Sequence, residues 1–307
     1  MKRNSELAVF NLAHLSDVHL GPLPPGSTFE NFALKRIIGG FSWTSHRSKI
    51  HLPEIASLLR ADILAANPDH VALTGDLVNI AASREFVQAA TWLTEFGAGD
   101  FISFTPGNHD AYVPVRWEKG LAHFAPFMTS DMRQDHPFPF IRLRRNVAMI
   151  GVNGACKQNL YSAGGKVGPS QRSRLAAALR SLQERGFYRV VMIHHPPAPG
   201  LAIALRALAD AAELQAILQT EGAELVLHGH NHERSLTLLD GKGGKIPVIG
   251  VPSASMTKTI EHHVAAWNAY EISRLKGHWH TKVAIRQYNA GTHAVEAADT
   301  FELPPRS

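Results

Sequence analysis

The sequence has almost no cysteine and no long hydrophobic run, and both absences restrict what the protein can be. Cys156 is the single cysteine among 307 residues, which excludes an internal disulfide and a thiolate zinc site. No apolar stretch approaches the roughly 18 residues that span a bilayer. The apolar run near the N-terminus ends at Asp17 and has no small-residue cleavage site of a signal peptide. We therefore expect a cytoplasmic protein.

Signatures of disorder and of nucleic-acid binding are also missing. A hydrophobic fraction of 45% and a net charge of +5 indicate a globular core. The sequence has no Cys/His finger and no RRM-type motif, so we expect no stable nucleic-acid complex. The positive charge favours small anionic partners. Histidine is abundant, with 18 residues against 5 Trp and 5 Tyr, and its placement decides between scattered side chains and a metal centre.

Short apolar runs alternate with helical patterns, which predicts an α/β layered fold. The predicted strands are 7–15, 70–74, 101–105, 147–152, 188–193, 224–227 and 245–250, and the predicted helices are 53–66, 83–96, 169–185 and 210–221. Two more strands, 265–272 and 281–288, are expected to pair antiparallel and close one end. No linker interrupts the chain, so we expect a single domain over 1–307. It comprises a core at about 7–252, an insert at 26–52 and C-terminal strands at about 253–300.

Polar clusters follow five of the predicted strands. They are Ser16-Asp17-Val18-His19, Gly75-Asp76-Leu77-Val78-Asn79, Pro106-Gly107-Asn108-His109-Asp110, His194-His195-Pro196-Pro197 and His228-Gly229-His230-Asn231-His232. In an open α/β sheet the carboxyl ends of the strands share one edge, where ligands bind. Residues two apart in extended chain point the same way, so an Asp-x-His or His-x-His pair can hold one cation. Each cluster alone could be a turn, but their joint occurrence predicts a metal site.

Five of these blocks carry a family resemblance. Asp17-x-His19, Gly75-Asp76-x-x-Asn79, Gly107-Asn108-His109-Asp110, His194 and Gly229-His230-x-His232 resemble the motifs of the calcineurin-like metallophosphoesterases, and the spacing is similar to that of the class III cyclic nucleotide phosphodiesterases. The resemblance implies a four-layer αββα sandwich around two divalent ions. One ion would be held by Asp17, His19, Asp76 and His232. The other would be held by Asp76, Asn108, His194 and His230, with Asp76 bridging.

The implied reaction is hydrolysis of a phosphodiester, such as a cyclic nucleotide, by a hydroxide that bridges the two ions. Ligands of nitrogen and oxygen fit Mn, Fe or Zn. His109 is the predicted non-ligand catalytic residue, as an imidazolium that stabilises or protonates oxygen. Asp110 would orient it or merely stabilise the turn. Asn108, His109 and His195 are predicted to contact substrate. For His195 the alternatives are a position behind the ligand side chains or ordinary packing, because the resemblance assigns the ligand role to His194.

Segment 29–49 mixes large apolar residues with four cations and follows the first ligand block. Such a composition fits an interfacial element on anionic lipid, and the alternatives are an ordinary surface element or a dimer contact. The alternative function is therefore hydrolysis of a lipid headgroup or of a nucleotide-diphospho-lipid at the inner membrane surface. A non-enzymatic nucleic-acid binder is the third hypothesis. Homo-oligomerisation stays open.

Overall fold

The computed structural model describes residues 7–257 and 261–306; residues 1–6, part of the segment considered above for a signal peptide, lie outside that range. Over the described residues the chain forms twelve strands and five α-helices. The strands are β1 Leu7–Leu15, β2 His70–Leu73, β3 Ile102–Phe104, β4 Phe140–Arg144, β5 Val147–Gly151, β6 Tyr188–Met192, β7 Leu225–His228, β8 Ser235–Gly241, β9 Gly244–Gly250, β10 Ala266–Leu275, β11 His278–Asn289 and β12 Ala294–Glu302. The helices are α1 Leu34–Ser45, α2 Pro53–Ala66, α3 Ser83–Phe96, α4 Pro169–Glu184 and α5 Ala211–Glu221.

The strands form two six-stranded sheets. The first has the order β12-β11-β10-β1-β2-β3 and the second the order β4-β5-β6-β7-β9-β8. Strands β1, β2 and β3 run parallel, as do β5, β6, β7 and β9. The predicted C-terminal strands do pair antiparallel, but they do not close one end of the fold. Instead, β10 pairs with β1 and extends the first sheet sideways.

Side-chain alternation along the strands produces four layers. In β2, Val71 and Leu73 pack against α2 and α3, whereas Ala72 faces the space between the sheets. Leu175 of α4 and Leu214 of α5 pack on the outer face of the second sheet. A third core cluster joins the inner faces of β1, β6, β7, β9 and β10. This arrangement confirms the predicted αββα sandwich.

Three strands and one helix were missed. Strands β4, β8 and β12 are sheet edges. Only one residue of β8 is buried, and β12 is mostly exposed. A solvated edge strand of this kind needs no continuous apolar run. The mostly buried β4 instead alternates arginine with apolar residues. Helix α1 contains Gly39 and Gly40, which lower helix propensity. A Cβ at Gly39 would lie 2.8 Å from Tyr112 Oη and one at Gly40 would lie 2.4 Å from Thr28 Oγ1, so both glycines permit close packing.

None of the helices in the described part of the chain has the length and apolar character needed to cross a bilayer.

Candidate metal centre

The carboxyl ends of strands from both sheets meet at one edge of the sandwich, and this edge collects the seven predicted ligands. Asp17 and His19 follow β1, Asp76 follows β2 and Asn108 follows β3. His194 follows β6, and His230 and His232 follow β7. All of them are buried except His232, which is partly exposed.

Four of these side chains form a first group. His232 Nε2 lies 3.0 Å from Asp17 Oδ1 and 3.2 Å from His19 Nε2. His19 Nε2 in turn lies 3.9 Å from both Asp17 Oδ1 and Asp76 Oδ2. Two carboxylate oxygens and two imidazole nitrogens therefore converge on one point.

A second group adjoins the first. Asn108 Oδ1 lies 3.1 Å from His194 Nε2 and 2.8 Å from His230 Nδ1. Those two histidine nitrogens are 3.2 Å apart, and Asp76 Oδ2 lies 3.3 Å from His194 Nε2. Asp76 Oδ2 thus faces both groups. Asp17, Asp76 and His194 also place one ligand atom each within 4.8 Å of one another, so the two groups adjoin closely.

The hydrogen bonds behind these atoms leave them open to a cation. A carbonyl oxygen only accepts, so His194 Nδ1 donates to Thr74 O at 2.6 Å and His230 Nε2 donates to Arg206 O at 2.9 Å. The ring nitrogens that face the group are then lone-pair donors. Asp17 Oδ1 is buried and, among the described residues, is assigned no hydrogen bond, although His232 Nε2 lies 3.0 Å away. Lone pairs opposed at 3.2 Å beside an unpartnered buried carboxylate oxygen fit a bound cation.

A proton competes for the same place. Burial by itself lowers the pKa of His194, but the Asp76 and Asp17 carboxylates outweigh that effect and raise its pKa to about 10. Metal ligands must be deprotonated, so an ion bound by His194 would displace this proton. With or without a bound ion, a positive charge therefore lies next to the Asp76 and Asp17 carboxylates. It is a metal ion in one case and the His194 proton in the other.

The backbone at the site is strained. Asp17, His19, Asp76, His230 and His232 all have φ between 45° and 71°, the left-handed region that L-residues rarely adopt. Backbone hydrogen bonds hold two of these turns, from Asp17 N to Gly75 O at 3.0 Å and from His19 N to Asp76 O at 2.9 Å. Strain of this kind costs of order 1–3 kcal/mol per residue and clusters at functional sites.

Three glycines next to the ligands have two different roles. Gly75 has φ +94, so it supplies a left-handed turn that other residues rarely adopt. A Cβ at Gly107 would lie 2.2 Å from Asp76 Oδ1, and one at Gly229 would lie 1.9 Å from Ser16 Oγ. The φ of Gly229 is outside the left-handed region. Its role is therefore to permit close approach.

His109 lies on the cleft that opens onto both groups, a space of about 420 Å³. Its Nδ1 donates to the Asn79 carbonyl at 2.5 Å, and its ring stacks on Tyr112 at 5.2 Å. Burial, together with the nearby Arg47 cation, lowers the pKa of His109 to about 4. The ring is therefore neutral in the free cleft, whereas the sequence analysis expected an imidazolium.

The structure does not support the orienting role predicted for Asp110. Its carboxylate accepts the backbone N–H groups of Asp76, Leu77, Val78 and Gly107 at 2.8–3.2 Å. Asn79, and not Asp110, fixes the His109 ring. Asp110 is therefore the acceptor that holds the Asp76 turn, which was the alternative reading of this residue. Burial and the Asp76 carboxylate raise the pKa of Asp110 to about 7.

The substrate contact predicted for His195 is wrong. Its side chain is 0% exposed and its ring lies 4.4 Å from that of His230. Nε2 donates to Ala163 O at 3.1 Å. His195 therefore packs behind the His230 ring and supports it, because neighbouring residues at a strand end point in opposite directions.

Several residues that line the cleft were not predicted as site residues, among them the cationic or titratable Arg47, His51 and Arg206. His51 packs between its site neighbours, with its ring 4.6 Å from that of His19 and 5.5 Å from that of His232. Arg47 and His51 belong to the insert that follows the first ligand block. The only sequence signal for them was the run of cations and aromatics in that insert.

Comparison with known proteins identifies the family. The model of the calcineurin-like phosphoesterases matches residues 10–234, a span that contains all seven residues of the two groups. It does not distinguish the cyclic nucleotide phosphodiesterase branch. No curated protein matches the chain by sequence.

Two solved structures share the fold. A dimetal phosphatase from Danio rerio is 14% identical with a TM-score of 0.61, over 96% of this chain and 98% of that one. A purple acid phosphatase from yellow lupin (Lupinus luteus) seeds is 12% identical with a TM-score of 0.55, over 96% of this chain and 53% of that one. The motif blocks, the two-sheet sandwich and the family match agree, and the chain belongs to the calcineurin-like phosphoesterase family.

Proposed function

We propose that the protein is a dimetal-dependent phosphodiesterase that hydrolyses small phosphodiesters such as cyclic nucleotides. The observation that carries the proposal is the pair of ligand groups that share Asp76 Oδ2, 3.9 Å from His19 Nε2 and 3.3 Å from His194 Nε2. Asp17, His19, Asp76 and His232 would hold one ion, and Asp76, Asn108, His194 and His230 the other. Oxygen and nitrogen donors without thiolate suit Mn, Fe or Zn.

Two bound ions supply Lewis-acid polarisation of the phosphoryl group and activation of water. The chain itself supplies orientation and proton transfer. Asn108 turns its Oδ1 to the histidines, which leaves its amide N–H group to donate to a phosphoryl oxygen. The neutral His109 can take a proton at Nε2 and return it to the departing oxygen. Its other nitrogen is held by Asn79, so the ring keeps one orientation throughout.

A substrate panel with metal-free and Mn-reconstituted protein tests the proposal. We expect hydrolysis of bis(p-nitrophenyl) phosphate and of cyclic AMP to exceed that of p-nitrophenyl phosphate, to stop on chelation and to return with Mn. Asp17→Asn should lose metal and activity. Asp240→Asn, which changes an exposed carboxylate on β8, should keep both. Hydrolysis of monoesters alone would refute the diesterase assignment.

A second candidate function is hydrolysis of a phosphoester presented by a lipid surface. It is favoured by exposed apolar side chains on three segments near the cleft. These are Phe29, Phe32, Leu34, Ile38 and Phe41 on the insert, Tyr161 on the segment after β5, and Ile203 and Leu205 on the segment after β6. Phe32 is 81% exposed. The insert meets the segment after β5 where Lys35 Nζ donates to Gln158 O and Ser162 O, and that segment meets the one after β6 where Ala163 N donates to Leu205 O.

All three segments also reach the cleft, which is lined by Arg47 of the insert, Ala163 after β5 and Arg206 after β6. Apolar side chains beside cationic ones suit an anionic bilayer that carries the substrate.

Vesicles separate the two candidates. For a diphospho-lipid in anionic vesicles, we expect the Phe32→Ser/Phe41→Ser variant to lose rate while its rate on a soluble diester is unchanged. Val87→Ser, which alters an exposed apolar residue on α3, is the matched control. Equal rates of the wild type and the double variant on vesicles would rule out the lipid surface. A concentration-dependent dimer that the double variant abolishes would assign the patch to self-association.

A further inference from the structure

The insert sends one cation into the cleft. Arg47 begins a short 3₁₀ turn, Arg47–Lys49, directly after α1. Its Nη2 lies 3.1 Å from His19 Nδ1 and its Nη1 lies 3.4 Å from His109 Nδ1. The guanidinium carbon stands 5.7 Å from the centre of the Trp43 ring. The guanidinium is thus placed between a residue of the first ligand group and the proposed catalytic histidine.

Among the described residues, this guanidinium has no hydrogen-bond acceptor that would persist when His19 Nε2 binds a metal ion. In the described residues, no carboxylate lies within ion-pair distance of Arg47. His109 Nδ1 donates its proton to Asn79 O, so it cannot also accept one from Arg47. When His19 presents the Nε2 lone pair to the first group, its neutral ring carries the proton on Nδ1. Both neighbouring nitrogens are then donors.

A cluster of N–H donors without an acceptor is costly unless an anion fills it. Burial lowers the pKa of Arg47, while the Asp76 carboxylate opposes that effect, and a guanidinium stays charged in proteins. Its planar fork of donors matches two oxygens of a phosphate, which a lysine ammonium does not do. The space next to it is the cleft shared with Asp76, Asn108 and His109.

We propose that Arg47 binds non-bridging oxygens of the substrate phosphoryl group, so that the insert contributes directly to recognition in the active site. This inference rests on the proposed phosphoesterase function. It assigns Arg47 to the binding of substrate and product. Arg47 is not expected to hold metal, because its nearest site atoms are His19 Nδ1 and His109 Nδ1, and neither is a proposed metal-binding atom. Arg47 should therefore affect phosphate affinity at unchanged metal content.

The test uses inorganic phosphate as the probe and the Mn-loaded protein. We expect Arg47→Gln to keep two Mn per chain by elemental analysis, while the Kd for phosphate by calorimetry rises about tenfold or more, as for a lost charge-assisted hydrogen bond. The Kd of Arg47→Lys should lie between those of the wild type and Arg47→Gln, because lysine restores the charge but not the planar pair of N–H donors. Lys119→Gln removes an exposed cation from another 3₁₀ turn and should leave Kd unchanged.

Each outcome decides between explanations. Arg47→Gln with wild-type phosphate affinity and a hydrolytically active wild type would overturn the Arg47 assignment alone. Loss of Mn in Arg47→Gln, with phosphate affinity restored at saturating Mn, would also overturn it and make Arg47 a support for the metal ligands. A wild type that holds Mn and neither binds phosphate nor hydrolyses a diester would overturn both this inference and the proposed function.

Discussion

A single methyl group placed behind the first ligand group should disable it without removing any ligand. In Gly229→Ala the new Cβ would lie 1.9 Å from Ser16 Oγ and 2.3 Å from Asp17 Oδ2, where ordinary contact begins at 3.4 Å. One side must move by about 1.5 Å. Asp17 Oδ2 also accepts the His230 backbone N–H at 3.0 Å, so a shift of the carboxylate breaks a buried hydrogen bond as well.

The magnitude follows from these contacts. Overpacking of a tight site costs about 1–3 kcal/mol, and loss of a buried hydrogen bond adds about 1 kcal/mol. We expect the free energy of unfolding of the metal-free protein to fall by about 2–4 kcal/mol, within the range of these two effects. Displacement of a residue that positions a ligand typically weakens metal affinity about 10–100-fold, and the first ion should be the one affected.

Urea unfolding of the metal-free protein and a Mn titration of the folded protein measure the two effects separately. Gly291→Ala is the matched control, because its Cβ would meet only Asn289 Oδ1 at 3.3 Å, far from the site. Wild-type affinity for both ions in Gly229→Ala would refute the reasoning, since it would mean that Asp17 does not need its observed position to hold a cation.

Three further predictions concern the proposed bridging carboxylate of Asp76, the proposed catalytic His109 and the buried ion pair of Arg189 and Glu224. Asp76→Asn should lower Mn content at both positions, and full occupancy by elemental analysis with a normal rate would contradict bridging. His109→Ala should keep both ions while turnover of a diester falls about 10²–10⁴-fold; an undiminished rate would reject its role. Glu224→Gln leaves Arg189 buried without its ion pair, and we expect a loss of about 3–5 kcal/mol in urea unfolding. Asp240→Asn, at an exposed pair, should cost less than about 1 kcal/mol, and equal losses in the two variants would contradict the argument.

The positions of the ligand groups could be predicted because they depend on two robust features. Polar residues stand where buried strands end, and parallel strands bring those ends to one edge. The substrate contact of His195 failed because it depends on side-chain direction within a turn. His194, which was predicted as the ligand of this pair, faces Asp76, whereas His195 packs behind His230.

Asp110 shows another limit of sequence reasoning. Because His109 precedes Asp110 in the sequence, an Asp–His pair was the expectation. The sequence does not show that backbone N–H groups of the Asp76 turn compete with His109 for the Asp110 carboxylate. Three of them and the N–H group of Gly107 converge on this carboxylate. Buried N–H groups need an acceptor, and the sequence alone does not specify which side chain supplies it.

The role of Arg47 was hidden for a different reason. Segment 29–49 was recognised as unusual, but the direction in which its cations point depends on the path of α1. That path is fixed by the close packing at Gly39 and Gly40 and by Arg36, whose buried guanidinium donates to Ile80 O and Ala81 O. The contacts of Arg36 and Gly39 join residues more than forty positions apart, so periodicity cannot predict them.

The strained turns connect the proposed ligands structurally to the insert. A left-handed residue after a strand reverses the chain sharply, which keeps the next side chain above the strand end. Asp17, His19 and Asp76 all use this conformation. Asp76 is further held where Asp110 accepts its N–H, and the same turn continues to Asn79, which fixes His109, and Ile80, which anchors the insert. One strained turn therefore positions the proposed metal ligand Asp76, the ring of His109 and the element that carries Arg47, and relaxing it should impair all three together.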